Sequence, residues 1–347
     1  MKKNRTELMY FRAFICIVVV ITHILTHFTT NQQLTAHNNQ FLYYIRNIFI
    51  FGTPSFIILS QVLTTLNYKT LRNNYLTSRF KFIFIPYVTV GLFYAFSEAC
   101  NYDKPLWGQI MNAIILGKWY GYFIFIIMQF FVLNFILYKL FSYKIFNSKI
   151  LLVLSFIFQE VFLHLYNLNP GFAKGFDAIY PISSPTFLGG WIFYYFLGGY
   201  IGLNYDKIVE FLKKYVSIVL VITAIVYFVT IVIMGHNYMN VSSFREQLTL
   251  MNSLMFLSLL GLTTYLSTFM FNTFKLINEF SFFIYLMHPV IIGSIYKYTE
   301  RFNDQTIVFF AISLLFILGI CIGVGILLRE IPIFKYVIGK QPYKLKL

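Results

Sequence analysis

Arg12 and His23 bracket the first strongly apolar run of the chain, "RAFICIVVVITH". On an α-helix their separation is a rise of about 16.5 Å and an angular offset of about 20°. A fixed cation and a titratable imidazole therefore share one face of one segment. An unperturbed imidazole titrates at about 6.5, so His23 is a candidate base toward a hydroxyl, or a nucleophile that carries an acyl group. His27, one turn further, continues the stripe. Ionisable groups this deep in an apolar segment cost roughly 2.5–3.5 kcal/mol or more and usually face a protein interior or a wet cavity. Ordinary alternatives stand beside these roles. Arg12 can snorkel to phosphate headgroups, and His23 can be a core histidine bonded to a neighbouring carbonyl. Two histidines at i, i+4 also suit a metal, but no third ligand is well placed and no metal site is expected.

Further polar groups recur inside apolar runs: Glu98, Glu160 with His164 at i, i+4, and Glu279 with His288. Each can serve as a helix–helix hydrogen-bond partner; together they suggest a polar cavity reached along the Arg12 stripe. His288 is the candidate second acid/base, or a hydrogen-bonded cap beside Pro289, with Tyr285 one turn earlier to share its bonds. Ser60 is a candidate donor toward an oxyanion, although a serine in a membrane helix commonly bonds within its own helix. Glu160 can polarise a histidine or pair with His164. Trp119, Tyr120, Tyr122, Trp191, Tyr194 and Tyr195 lie near the entrances of apolar segments and would form a sugar-stacking platform, or an ordinary interfacial belt.

The elements that must hold these groups follow from composition. The chain has 347 residues, of which 59% are hydrophobic and 11% charged. That balance indicates an all-α, polytopic membrane helical bundle. Cys16, Cys100 and Cys321 are far apart and lack the spacing of a disulfide framework or zinc site. The formal charge of +15 is scattered over short loops, which marks membrane orientation rather than nucleic-acid binding. No Walker-type loop is present to drive transport with an intrinsic ATPase.

Crossing the hydrocarbon takes about 20 mostly apolar residues. Ten windows qualify, at 10–28, 45–66, 80–100, 119–140, 150–167, 186–204, 216–234, 249–271, 277–296 and 306–328. The first follows "MKKNR" and is expected to be an uncleaved signal-anchor. Lysines and arginines concentrate in alternate loops: Lys2, Lys3 and Arg5; Lys69, Arg72, Arg79 and Lys81; Lys207, Lys213 and Lys214; and the tail "GKQPYKLKL". Arg46, Lys297 and Arg301 fall among the fewer on the other side. About ten transmembrane helices with both termini cytoplasmic are the expectation, in a single domain over 1–347. The stretch "LNPGFAKGFDAIYPISSP" reads as an ordered or re-entrant outer loop rather than a helix.

The Arg12-to-His23 spacing resembles the first-span signature of the acyltransferase-3 family of membrane proteins. "FIILSQ" (56–61) is similar to its second-span Phe-x-x-x-Ser-Gly, "RFKFIFIP" (79–86) to its basic entry into span three, and "WYGYFIFIIMQF" to its fourth span. "FSFFIYLMHP" (280–289) is similar to its late Ser-x-x-x-Tyr-Leu-x-His element. Gln61 stands where that family usually has glycine, and the basic pattern around Arg79 is thin. The resemblance implies a membrane O-acyltransferase with no bound cofactor, using acyl-coenzyme A (succinyl-CoA or acetyl-CoA) as donor. Arg12, Arg79 and Lys81 would hold the donor's anionic parts. "RNIFIFGTPSFIILSQVLTTLNY" and "AISLLFILGICIGVGILLRE" resemble, within the family, plasma-membrane proteins of biofilm poly-β-1,6-N-acetylglucosamine production. That likeness implies export of the polymer, its acylation, or both. It also implies membrane lipid, the polymer and the polysaccharide synthase complex as partners.

Overall fold

The computed structural model describes residues 5–31, 36–296 and 306–339. Lys2, Lys3, Lys297, Arg301 and tail residues 340–347, used above to orient the chain, lie outside the described residues. All regular structure among those described is helical. In chain order the helices are α1 (Thr6–Asn31), α2 (Ala36–Phe49), α3 (Gly52–Asn67), α4 (Tyr75–Arg79), α5 (Ile85–Tyr102), α6 (Leu106–Ile110) and α7 (Phe123–Phe141). There follow α8 (Lys149–Leu168), α9 (Pro170–Ile179), α10 (Ile192–Leu203), α11 (Tyr205–Met234), α12 (Thr249–Thr263), α13 (Phe271–Tyr296) and α14 (Thr306–Arg329).

Among the described residues eight helical stretches are long and apolar enough to cross a membrane: Thr6–Thr29, Gln40–Asn67, Tyr75–Tyr102, Leu106–Phe141, Lys149–Leu168, Tyr205–Met234, Phe271–Ile295 and Ile307–Arg329. The remaining two expected windows hold shorter helices, Leu188–Leu203 and the 15-residue α12. Fifteen residues rise only about 22 Å, short of the ~30 Å hydrocarbon thickness. One expectation is corrected. Residues 170–179 form α9, because Asn169 accepts a hydrogen bond from the Phe172 amide at 3.1 Å and Pro170 occupies the first turn. An asparagine N-cap followed by proline starts a helix even with two glycines behind it.

The chain forms two compact units that interleave in sequence: residues 1–52, 216–242 and 254–347 make one, and residues 53–215 with 243–253 the other. In the first, α1 packs on α13 and both contact α14. α1 and α13 run parallel and in step: Tyr10 meets Phe274, the Cys16 thiol reaches the Ser281 carbonyl, and His23 meets His288.

The second unit is built inside out relative to a water-soluble protein. Between Ile150 and Val161 on α8 the exposed residues are apolar (Ile150, Val153, Leu154, Ile157, Phe158 and Val161), whereas Ser155 and Gln159 are buried. An apolar outer stripe at helical spacing with polar residues inward is the arrangement lipid requires. α3 and α10 approach closely at Gly198 and Gly202, where added Cβ atoms would collide with the Ile58 and Val62 carbonyls. These glycines form a small-xxx-small contact.

The residue that departs from the family pattern is accommodated here. Gln61 and Asn134 exchange two side-chain hydrogen bonds, at 2.9 and 2.8 Å, and the Tyr195 hydroxyl donates to Asn134 Oδ1 at 3.0 Å. Where Arg79 precedes span three, Phe80–Phe84 form one π-helical segment before Pro86 in the first turn of α5. Proline has no N–H and its ring crowds the carbonyl four residues back, which favours a wider turn there.

Gln61→Leu leaves Asn134 partly unanswered and is expected to destabilise the protein by about 1–3 kcal/mol. Adding Asn134→Leu is expected to recover only part of this, because Tyr195 then loses its acceptor. Thermal unfolding in detergent or nanodiscs measures both.

Candidate functional site

The in-step packing of α1 and α13 sets the His23 ring against that of His288, with ring centroids 5.0 Å apart and planes tilted by 37°. His288 is 0% exposed. Its Nδ1 lies 3.0 Å from the Ile284 carbonyl, and the Tyr285 carbonyl also contacts the ring. A carbonyl only accepts, so Nδ1 carries the hydrogen and Nε2 keeps its lone pair. Among the described residues Nε2 has no hydrogen-bond partner. Pro289, inside α13, supplies part of the reason. With no N–H of its own it leaves the Tyr285 carbonyl without the usual helical donor, and that carbonyl turns to the preceding histidine. The Tyr285 ring stands 6.0 Å from that of His288.

A cation that the sequence reading placed in an outer loop belongs beside this pair. Arg46, on α2, is 6% exposed. It donates from NH1 to Thr29 Oγ1 at 2.6 Å and from NH2 to Thr26 Oγ1 at 3.1 Å, and its guanidinium lies over the Tyr43 ring at 5.2 Å. It also acts electrostatically on His23. Thr26 and Thr29 lie three apart on α1 and so share a face. Two hydroxyls facing an arginine near the start of the second window were the signal that loop counting overlooked. His27, on the same helix, lines a crevice with Ile24, Phe28, Ile292, Phe309 and Ser313.

Comparison with known proteins places the chain. The model of an acyltransferase domain matches residues 5–326. The chain belongs to the acyltransferase-3 family. It is 56% identical over 347 residues to the "probable poly-beta-1,6-N-acetyl-D-glucosamine export protein" of Staphylococcus epidermidis, covering 100% of this chain and 98% of that one. To the protein of the same name in Staphylococcus aureus strain N315 it is 51% identical over 348 residues, covering 100% and 99%. No solved structure matches. An all-α bundle with eight helices able to span a membrane, in this family, is a multi-pass cell-membrane protein.

Within this acyltransferase-3 bundle the expected site residues distribute as follows. Arg12, His23, His27, Glu279, Tyr285 and His288 all fall in the first unit. Arg12 is half-buried and acts electrostatically on Cys16, one turn on; no hydrogen bond or ion pair to it is found among the described residues. Glu279 Oε2 has no hydrogen-bond partner among the described residues; Lys275 and Arg329 are its charged neighbours.

Ser60, Arg79, Glu98, Glu160 and His164 fall in the second unit, each with surroundings of its own. The Arg79 guanidinium lies over Tyr75 and Phe131 at 5.1 and 4.9 Å, and Lys81 is exposed. Glu160 contacts Thr249, and His164 approaches Glu246 at 3.9 Å. The sugar platform takes a different form: Trp119, Trp191, Tyr194 and Tyr195 are buried. Trp119 Nε1 donates to the Tyr87 hydroxyl at 3.2 Å, Trp191 Nε1 to the Pro185 carbonyl at 2.8 Å, and Tyr195 stacks on Phe130 at 4.6 Å. These rings are core, because an aromatic with a polar handle packs well wherever that handle finds a partner.

The geometry fixes a tautomer. Nitrogen-15 NMR of histidine-labelled protein, with the His288 signal assigned by its loss in His288→Gln, is expected to show Nδ1 protonated and Nε2 bare at neutral pH. The reverse pattern would contradict the Ile284 contact.

Proposed function

We propose that this protein is a membrane O-acyltransferase of poly-β-1,6-N-acetylglucosamine production, moving a short acyl group from acyl-coenzyme A to a sugar hydroxyl. The observation that carries the reading is the His23–His288 pair, with a bare Nε2 on the second ring. His288 Nε2 takes the hydroxyl proton as the sugar oxygen attacks the thioester carbonyl. The C–O bond forms, the C–S bond breaks, and the imidazolium returns its proton to the departing thiolate. His23 offers its N–H to the oxyanion while charge develops there, and Tyr285 helps hold the His288 ring. The half-buried Arg12 guanidinium lies about 16.5 Å along α1 from His23 and suits the anionic part of a donor whose thioester lies at the pair. Arg79 and Ser60 are assigned to substrate binding on the family likeness, and Glu160 as a polar group within an apolar run.

Export of the polymer is the second reading, and the names of the Staphylococcus relatives favour it. Both readings place membrane lipid and the polymer in contact with the protein, and a synthase complex nearby as its source.

His23→Ala and His288→Ala, at matched membrane level in a polymer-producing cell, separate the two. The acyltransferase reading expects surface polymer in normal amount, with ester content reduced about 10²-fold or more, the scale of general acid–base catalysis. Polymer retained inside the cell would replace that reading by export. Unchanged polymer with unchanged ester would remove the histidines from either role.

A further inference from the structure

The crevice beside His27 has no part in the scheme above, yet its position ties it to the imidazole pair. His27 lies one turn beyond His23 on α1, and Ile292 one turn beyond His288 on α13. Because the two helices run parallel and in step, the turn that follows the pair on each helix lines one shared space. α14 closes the third side with Phe309 and Ser313, and Phe28 meets Phe309 edge-on at 5.2 Å. The walls are otherwise Ile24, Phe28 and Ile295.

Ser313 is, with His27, one of two polar residues in an otherwise apolar lining. It is 2% exposed, and its hydroxyl has no hydrogen-bond partner among the described residues. A serine in a membrane helix ordinarily bonds back to its own helix, as Thr22, Thr26 and Ser294 do in this unit. Leaving a buried hydroxyl unanswered is unfavourable. A few polar groups set in apolar walls, here Ser313 and His27, are how a small-molecule pocket fixes the orientation of a ligand that is mostly hydrocarbon.

We infer that this crevice is the acyl subsite: it receives a short, uncharged acyl chain, of about acetyl size, with Ser313 donating to the acyl carbonyl oxygen. The inference rests on the acyl-transfer reading and deepens it by naming the class of donor. The free space of about 230 Å³ includes the open mouth and is an upper bound on the occupant, which favours a short chain over a long one. A terminal carboxylate such as that of a succinyl group would meet mostly isoleucine and phenylalanine, with His27 and Ser313 the polar lining residues and no lysine or arginine among them. Along this unit the order becomes Arg12, the His23–His288 pair, then the crevice. That is the order of anionic head, thioester and acyl tail in an acyl-coenzyme A.

The test is transfer from acetyl-, butyryl- and succinyl-coenzyme A to an N-acetylglucosamine oligosaccharide by the full-length protein in nanodiscs. Thermal protection by each donor, relative to free coenzyme A, is read alongside. The unaltered protein is expected to favour acetyl over both other donors. Ile292→Ala is expected to shift kcat/KM toward butyryl about tenfold or more, the discrimination that a methylene commands in an apolar pocket. Ile292→Val keeps the fold with less disturbance and is expected to shift it the same way by less. Ser313→Ala is expected to lower kcat/KM for every donor about threefold to tenfold, as loss of one hydrogen bond does.

Transfer with a chain-length preference untouched by both Ile292 variants overturns the subsite and leaves the acyltransferase reading standing. A wild-type preference for succinyl does the same. Absence of transfer from any donor overturns both.

Discussion

The parallel, in-step packing of α1 on α13 is the constraint on which the first unit depends. Non-adjacent helices that run the same way hold residues of equal depth together. One shared register therefore aligns Tyr10 with Phe274, Cys16 with Ser281 and His23 with His288. A slip of one turn would move the two imidazoles apart by about 5.4 Å. The contacts that oppose such a slip are aromatic and lie toward the N-terminal ends, where Tyr10 and Phe14 pack on Phe274. The Tyr10 hydroxyl adds a tie to the Phe269 carbonyl at 2.8 Å. Rigid rings at one end thus fix polar geometry further along the helices, a common way for packing to position a site without touching it.

The second unit obeys the same lipid constraint through different means. Buried amides there answer one another: Gln61 with Asn134, and Gln159 with Thr249 and the Phe193 amide. A buried network of this kind specifies one arrangement when its members are satisfied. It also explains how a long side chain is tolerated at position 61, where the family usually has glycine. Asn134 and Tyr195 supply the partners that a bare glycine would not need.

Much of the frame was legible in the sequence because lipid enforces simple rules. Apolar runs of sufficient length had to be helices, and all ten windows contain one. The Arg12-to-His23 spacing placed both on one face, and the late "MHP" element placed a histidine before a proline. What escaped notice required partners from other elements. Arg46 reads as a loop cation until Thr26 and Thr29 are seen opposite it. α9 escaped because its two glycines outweighed its Asn-Pro start. The buried tryptophans and tyrosines escaped because interfacial, ligand-binding and core aromatics share one composition. Ser313 lies in a run too uniform for periodicity to single out one serine, and only the crevice distinguishes it.

Two histidines, rather than a carboxylate or a lysine, occupy the centre of this unit for a reason that belongs to the membrane. Asp, Glu and Lys become efficient proton carriers through charged forms that are expensive in hydrocarbon. A neutral imidazole is both donor and acceptor at once, so it can sit at depth uncharged and still move a proton. Its weakness is ambiguity, since either nitrogen can hold the hydrogen. The residue sequence around His288 removes that ambiguity locally. A carbonyl one turn back takes the Nδ1 hydrogen, and Pro289 releases a second carbonyl on the same side. The lone pair is thereby committed to Nε2 by backbone alone, with no buried carboxylate required to orient the ring. An imidazole pair built in this way adds no net charge to the bilayer interior, and its orientation survives as long as the helix does.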